Sequence, residues 1–288
     1  SPKNVNANEI SSESIFSFRN PISGILEGRF FSPVRVCVVN DCLVELRTGT
    51  IFPKRNRILS ESSPWPDEFL LLNRLPYRSI PKPFFSKSYS DSIVTVLPSS
   101  SFYHWLIEEL PSFLRVWDHD KNVRILCHKI RPKYVDDFIE FLGLRVDFEG
   151  SILRVNQIKF ASHTKQASWP QPTEIRFLRE KFKEELVNFE PTEKVYISRR
   201  FSARSPQFEI SLERYLKGMK WKIIYAEQLN LLDQIRIFSN AKIVMGMHGA
   251  GLANIVWMQK GTKVIELRPS DWPHPWNVSY CYARLASV

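Results

Sequence analysis

The stretch KIVMGMHGAGLANIVWM, residues 242–258, decides how the second half of the chain is read. KIVMGM is an apolar, β-rich run of strand length. His248-Gly249-Ala250-Gly251 interrupts it, and LANIVWM then begins a helix. Strand, glycine-bearing turn and helix in that order put the turn at the carboxyl end of the strand, where open parallel sheets bind ligands. The N–H groups of the turn and of the helix start converge there and favour an anion. The dipole contributes about 0.3–1 kcal/mol, and up to about 2 kcal/mol when partly buried. Gly249 and Gly251 are expected to let a phosphate approach the backbone without meeting a Cβ. His248 can donate a hydrogen bond to the same phosphate. The spacing of Gly246, Gly249 and Gly251 does not fit GxGxxG, and there is no Walker lysine, so neither nucleotide fingerprint applies. A purely structural turn is the alternative.

Three other β-rich runs surround this one: KVYISRR (194–200), WKIIYA (221–226) and TKVIEL (262–267). Helical segments are predicted near 206–218, 227–240 and 250–258. Strands alternating with helices imply βαβ units and an open, doubly wound parallel sheet. Arg199, Arg200 and Arg204 sit at the end of the first run, where planar, permanently charged donors suit a diphosphate. A solvated charge cluster is the alternative. Glu266 ends the last run, where a carboxylate can accept both hydroxyls of a ribose; an ordinary strand-end charge is equally compatible.

The first half mixes elements. RVCVVNDCLVEL (35–46) reads as a hairpin around Asn40-Asp41, and residues 53–89, rich in Pro, Ser and aromatics, as loops. Strands are predicted at 92–97, 123–128 and 153–162, and helices at 99–117, with a serine cap, and at 132–144. SWPQPTE (168–174) opens a charged helix over 174–189 and marks the joint between two domains, 1–168 and 169–288. On the wheel of the 99–117 helix, Leu106, Leu110, Phe113 and Trp117 share one arc and are core. His104 and Glu108, four apart, share the opposite side. Such a pair can deprotonate a hydroxyl, or it is an ordinary surface pair. Glu109 lies between the faces as a second candidate base. Asp118-His119-Asp120 matches an acidic metal-binding pattern, but it follows a helix, where acids cap or solvate.

Composition sets the frame. The 288 residues are 43% hydrophobic and 24% charged, values of a globular protein, and no apolar run reaches the roughly 20 residues of a membrane span. No signal peptide is visible at the polar N-terminus. A net charge of +10 favours an anionic partner: nucleic acid, a membrane surface or a phosphorylated small molecule. Cys37, Cys42, Cys127 and Cys281 form no CxxC pair, so no zinc site is expected and the thiols read as reduced, in a cytosol-like compartment.

YHWLIEELP, YISRR and GMHGAGLANIVWMQKGTKVIEL, in that order, resemble the three signature segments of glycosyltransferase family 61. The resemblance runs from about residue 92 to the end. It implies an α/β, GT-B-like fold of two Rossmann-like domains with a cleft between them. It implies inverting transfer of a sugar, xylose or N-acetylglucosamine favoured, from a UDP-sugar to a hydroxyl of a glycan acceptor. No cofactor and no metal are implied; the UDP-sugar is a substrate. By resemblance His248, Gly249, Ala250 and Gly251 would cradle the donor diphosphate. Arg199, Arg200 and Arg204 would neutralise it, Glu266 would hold the nucleoside, and His104 and Glu108 would face the cleft. Nucleic acid is not an expected partner, since no RNP, zinc-finger or KH-like motif is present. The alternative function is a non-catalytic nucleotide-, glycan- or nucleic-acid-binding protein. A cytoplasmic enzyme of microbial or viral origin is the expectation, with a truncated Golgi-luminal domain as the alternative.

Overall fold

A computed structural model describes residues 34–53, 59, 62, 89–150, 152–163, 169–203, 205–268 and 280–288. The fold is α/β and built on two sheets. The first sheet has six strands in the order β2-β1-β6-β3-β4-β5. They are β1 (Val36–Glu45), β2 (Ile51–Phe52), β3 (Tyr89–Leu97), β4 (Arg124–His128), β5 (Val146–Glu149) and β6 (Ile152–Ala161). β6, β3, β4 and β5 run parallel, whereas β1 pairs antiparallel with both β6 and β2. The predicted hairpin at Asn40-Asp41 does not form. β1 is continuous and pairs with β6 from Val36↔Ala161 to Glu45↔Ile152, while Asp41 takes a left-handed φ of 45° inside it. Asp is one of the few residues that adopt this conformation readily, so pairing along the whole of β6 overrides the local turn signal.

The first helical run comprises α1 (Phe102–His104), a π-helical turn Trp105–Glu109 and α2 (Leu110–His119). Pro111 explains the wide turn. It has no N–H to give to Ile107, and the N–H of Leu110 just before it reaches back five residues to the Trp105 carbonyl. Leu106, Leu110 and Phe113 are buried as expected, and Trp117 is half-buried. The predicted serine cap makes no side-chain bond. α3 (Lys133–Leu142) ends on Gly143, which takes the left-handed conformation that closes many helices.

α4 (Pro172–Lys181) is shorter than predicted and is followed by a 3₁₀ turn, Lys183–Glu185. The second sheet is wholly parallel, in the order β10-β9-β7-β8: β7 (Glu193–Ile197), β8 (Lys222–Ile224), β9 (Ala241–Met247) and β10 (Lys263–Leu267). α5 (Glu209–Gly218) joins β7 to β8, and α6 (Leu231–Ser239), capped by the Asn230 side chain, leads from β8 to β9. The predicted helix after β9 is a 3₁₀ helix, Ala250–Trp257. α7 (Cys281–Leu285) ends the fold.

The chain steps from β7 outward to β8, then returns to the other side of β7 for β9 and β10. The order therefore reverses between β7 and β9, and it is beyond the carboxyl ends of strands at such a reversal that open parallel sheets bind ligands. One hydrophobic cluster runs through both halves, joining Trp105, Leu106, Phe113 and Phe138 to Val195, Val244, Leu252 and Trp257. Each such side chain contributes about 1.5–3 kcal/mol on burial, so this cluster holds α1 and the π turn against the 3₁₀ helix that follows β9. The four cysteines are free thiols; burial pushes Cys127 and Cys281 up to about 12 and Cys42 to about 11.

Candidate active site

At the reversal point, β7 ends in Ile197 and continues as Ser198-Arg199-Arg200. Two carboxylates four residues apart on α5, Glu209 and Glu213, are buried beneath this segment, 1% and 3% exposed. Buried carboxylates are tolerated only when hydrogen-bonded, and these are. Glu209 Oε1 accepts from the Tyr196 hydroxyl at 2.9 Å and from the Arg199 N–H at 2.8 Å. Glu213 accepts from Ser198 Oγ at 2.7 Å and from the Tyr225 hydroxyl at 3.3 Å. Burial first, and Glu209 second, push the Tyr196 phenol far up, so it serves as a donor throughout. The Arg200 guanidinium reaches Glu213 at 3.6 Å and is 44% exposed. Arg204 lies outside the described residues.

The facing turn follows β9. Gly249 is fully extended, φ 167° and ψ 168°. Arg199 Nη2 donates to the His248 carbonyl, and a Cβ added at Gly249 would lie 1.7 Å from that nitrogen. A Cβ at Gly251 would meet Ile197 Cγ2 at 3.2 Å. The two glycines were expected to clear room for a phosphate. At both positions a Cβ would meet the chain's own atoms, a guanidinium at one and the end of β7 at the other, so the fold itself requires the missing side chains.

Glu266, on β10, is engaged at both oxygens. Oε1 bonds His248 Nδ1, and Oε2 accepts from Arg268 Nη2 at 2.8 Å. The carboxylate fixes the imidazole and is itself fixed by the arginine. The hydroxyl of Tyr282, on α7, donates to the Gly249 carbonyl at 2.7 Å, and its ring lies edge-on to His248.

Across from this turn, His104 Nδ1 and Glu108 Oε2 are 2.8 Å apart, the pair expected from the i,i+4 spacing. Glu108 is more enclosed than a surface reading implies: its side chain is 7% exposed against 26% for His104. Tyr103, beside His104, packs edge-on against Tyr282, which brings the pair up to the glycine turn. Glu109 points elsewhere. It is fully buried in a small cavity with Thr48, Thr95 and Ser112, and accepts from Ser100 Oγ at 2.6 Å. Burial pushes its carboxyl well above the carboxylate range, against the Ser100 hydrogen bond and with help from the Glu108 and Glu45 charges.

Asp118 and Asp120 are held by lysines, Asp118 by Lys121 and Lys181 and Asp120 by Lys159. Among the described residues, no three His, Cys, Asp or Glu side chains are grouped so as to hold a metal ion. No helix among them is long and apolar enough to cross a membrane.

Sequence reasoning missed Glu209, Glu213, Arg268 and Tyr282. The i,i+4 glutamates behind an arginine-bearing strand end were a usable signal for the first two. Arg268 directly follows the β10 strand end, but nothing local marked it as a partner of Glu266, and Tyr282 carried no local signal.

The model of the glycosyltransferase 61 family matches residues 102–265, more than half of the chain. A β-1,2-xylosyltransferase of rice, Oryza sativa subsp. japonica, is 36% identical over 70 residues. That similarity covers 23% of this chain and 13% of the rice protein. The chain belongs to the glycosyltransferase 61 family.

Proposed function

We propose that this member of the glycosyltransferase 61 family moves a sugar from a UDP-sugar to a hydroxyl of a glycan acceptor, with inversion and without a metal ion. The observation that carries the reading is the His248–Gly251 turn at the reversal point of a parallel sheet, with Arg199 and Arg200 beside it. Xylose and N-acetylglucosamine are the favoured sugars. Xylose draws support from the name of the rice protein, over the short matched segment only. The two sheets are read as the halves of a GT-B-like fold, divided near residue 168.

The mechanism follows from the two sides of the proposed cleft, the His104–Glu108 pair and the glycine turn. Glu108, oriented by His104, takes the proton of the acceptor hydroxyl. The freed oxygen attacks the anomeric carbon from the face opposite UDP, and the electron pair of the breaking C–O bond passes to the diphosphate. Charge grows on that leaving group, so donors already aimed at it stabilise the transition state more than the ground state. The first N–H groups of the 3₁₀ helix, at Ala250 and Gly251, have no intrahelical acceptor and serve this purpose. The guanidiniums of Arg199 and Arg200 add positive charge, which a metal supplies in other transferases. Glu266 contributes through His248, whose ring it orients. Glu109 is left out of the base role because its carboxyl is fully buried in the cavity beside Thr48 and Thr95 and bonded to Ser100, out of reach of an acceptor.

Calorimetric titration with UDP in EDTA tests this donor site. Saturable binding that Arg200→Ala weakens at least tenfold is expected. Absence of binding, or binding only when Mg²⁺ or Mn²⁺ is added, overturns the reading.

A further inference from the structure

Tyr282 stands where the His104–Glu108 pair and the glycine turn touch through rings. It is 4% exposed. Its ring meets Tyr103 edge-on at 5.5 Å and His248 at 5.2 Å, and Tyr103 meets His104 at 5.3 Å. All three separations lie in the range where edge-to-face contacts are favourable. The sequence of contacts therefore runs His104, Tyr103, Tyr282, His248. α7 is itself held in place by Arg284, whose guanidinium stacks 3.7 Å above the Trp169 ring.

The hydroxyl does a separate task. It donates to the Gly249 carbonyl, which also accepts the Leu252 N–H at 2.9 Å. A peptide unit is planar and trans, so fixing its carbonyl fixes its N–H in the opposite direction. Holding the Gly249 carbonyl thus holds the Ala250 N–H. Because Gly249 is extended, the His248 carbonyl and the Ala250 N–H lie on the same side of the chain. Arg199 bonds that His248 carbonyl. The Ala250 N–H and the Arg199 guanidinium are therefore presented together on one side, and Tyr282 clamps the turn from the other.

We propose that Tyr282 is a positioning residue with two separable roles: its hydroxyl orients the Gly249–Ala250 peptide toward the donor diphosphate, and its ring sets the spacing between that turn and the His104–Glu108 pair. The proposal rests on the donor-site reading above.

The test uses Tyr282→Phe, Tyr282→Leu and Tyr103→Leu. UDP affinity is measured by calorimetry, and kcat as UDP release from UDP-xylose and UDP-N-acetylglucosamine. Tyr282→Phe keeps both ring contacts; its UDP affinity is expected to fall about three- to tenfold, the worth of one hydrogen bond, and its kcat to fall as well, because the Ala250 N–H faces the charge that grows on the leaving group. Tyr103→Leu breaks the spacing from the side away from the turn; its kcat is expected to fall at least tenfold with UDP affinity retained. Tyr282→Leu should show both losses. Wild-type UDP affinity in Tyr282→Phe overturns the hydroxyl role, and wild-type kcat in Tyr103→Leu overturns the spacing role. If Tyr282→Leu fails to fold, the other two variants still decide. Failure of the wild-type protein to bind UDP overturns the donor-site reading and this inference with it.

Discussion

The guanidinium of Arg199 donates to the backbone carbonyl of His248 and occupies the position where a side chain on Gly249 would begin. A positive charge is thereby seated on the glycine turn by the protein itself. In the proposed donor site this charge is in place before the reaction begins, so that its cost is met in folding.

Gly249→Ala should expose this dependence. The new methyl displaces the end of a flexible side chain, not backbone, and the extended φ suits any residue. Stability should fall by no more than about 1 kcal/mol, in line with ordinary single substitutions. UDP affinity should fall at least tenfold. Calorimetry beside thermal unfolding checks both, and unchanged affinity would show that the guanidinium has no part in donor binding.

Arg200→Ala should behave differently. Its guanidinium is half-exposed and holds Glu213 only at 3.6 Å, so little folding energy depends on it. Its role is expected in the transition state, and kcat should drop about 100-fold. Steady-state kinetics at saturating donor decide; an unchanged kcat would remove the role.

Glu108→Gln should lower kcat by about 10² to 10⁴, the range for loss of a positioned base, with UDP affinity within about twofold of wild type. His104→Ala should reproduce part of this effect. A Glu108→Gln enzyme with full turnover would require another base.

Glu109 gives a pH prediction of definite sign. Its folded-state pKa is raised, so above the ordinary carboxylate range, about 4.3, the folded state keeps a proton that the unfolded state has released. Stability must then fall as pH rises, with this group contributing at most about 1.4 kcal/mol per pH unit. Glu109→Gln removes that dependence and should gain on the wild type across the window that opens above the ordinary carboxylate range, about 4.3. Chemical denaturation across that window checks it, and parallel curves for the two proteins would contradict a neutral buried acid.

Much of this was legible in the sequence, for physical reasons. The strands of the second sheet are apolar runs because a parallel sheet is buried on both faces. His104 and Glu108 were paired correctly because helical spacing alone puts them together. The hairpin at Asn40-Asp41 was misread because turn residues there sit in a strand that β6 holds along its length. β5, four residues long and at a sheet edge, offers no pattern to read. Within the site, Arg199, His248 and Glu266 were each identifiable. That Arg199 would hold the His248 carbonyl, and Glu266 the imidazole, depends on β7 and β10 flanking β9, and strand order is not written in any one segment. Tyr282 joins from the end of the chain and was invisible for the same reason.

The most direct test of the central claim is UDP release from UDP-xylose, UDP-N-acetylglucosamine and UDP-glucose in EDTA, without acceptor, for the wild-type and Arg200→Ala proteins. Slow hydrolysis of one donor by the wild type, lost in the variant, is the predicted result. Release that appears only with Mg²⁺ or Mn²⁺, or equal release by both proteins, would contradict a metal-independent sugar transfer centred on the His248–Gly251 turn.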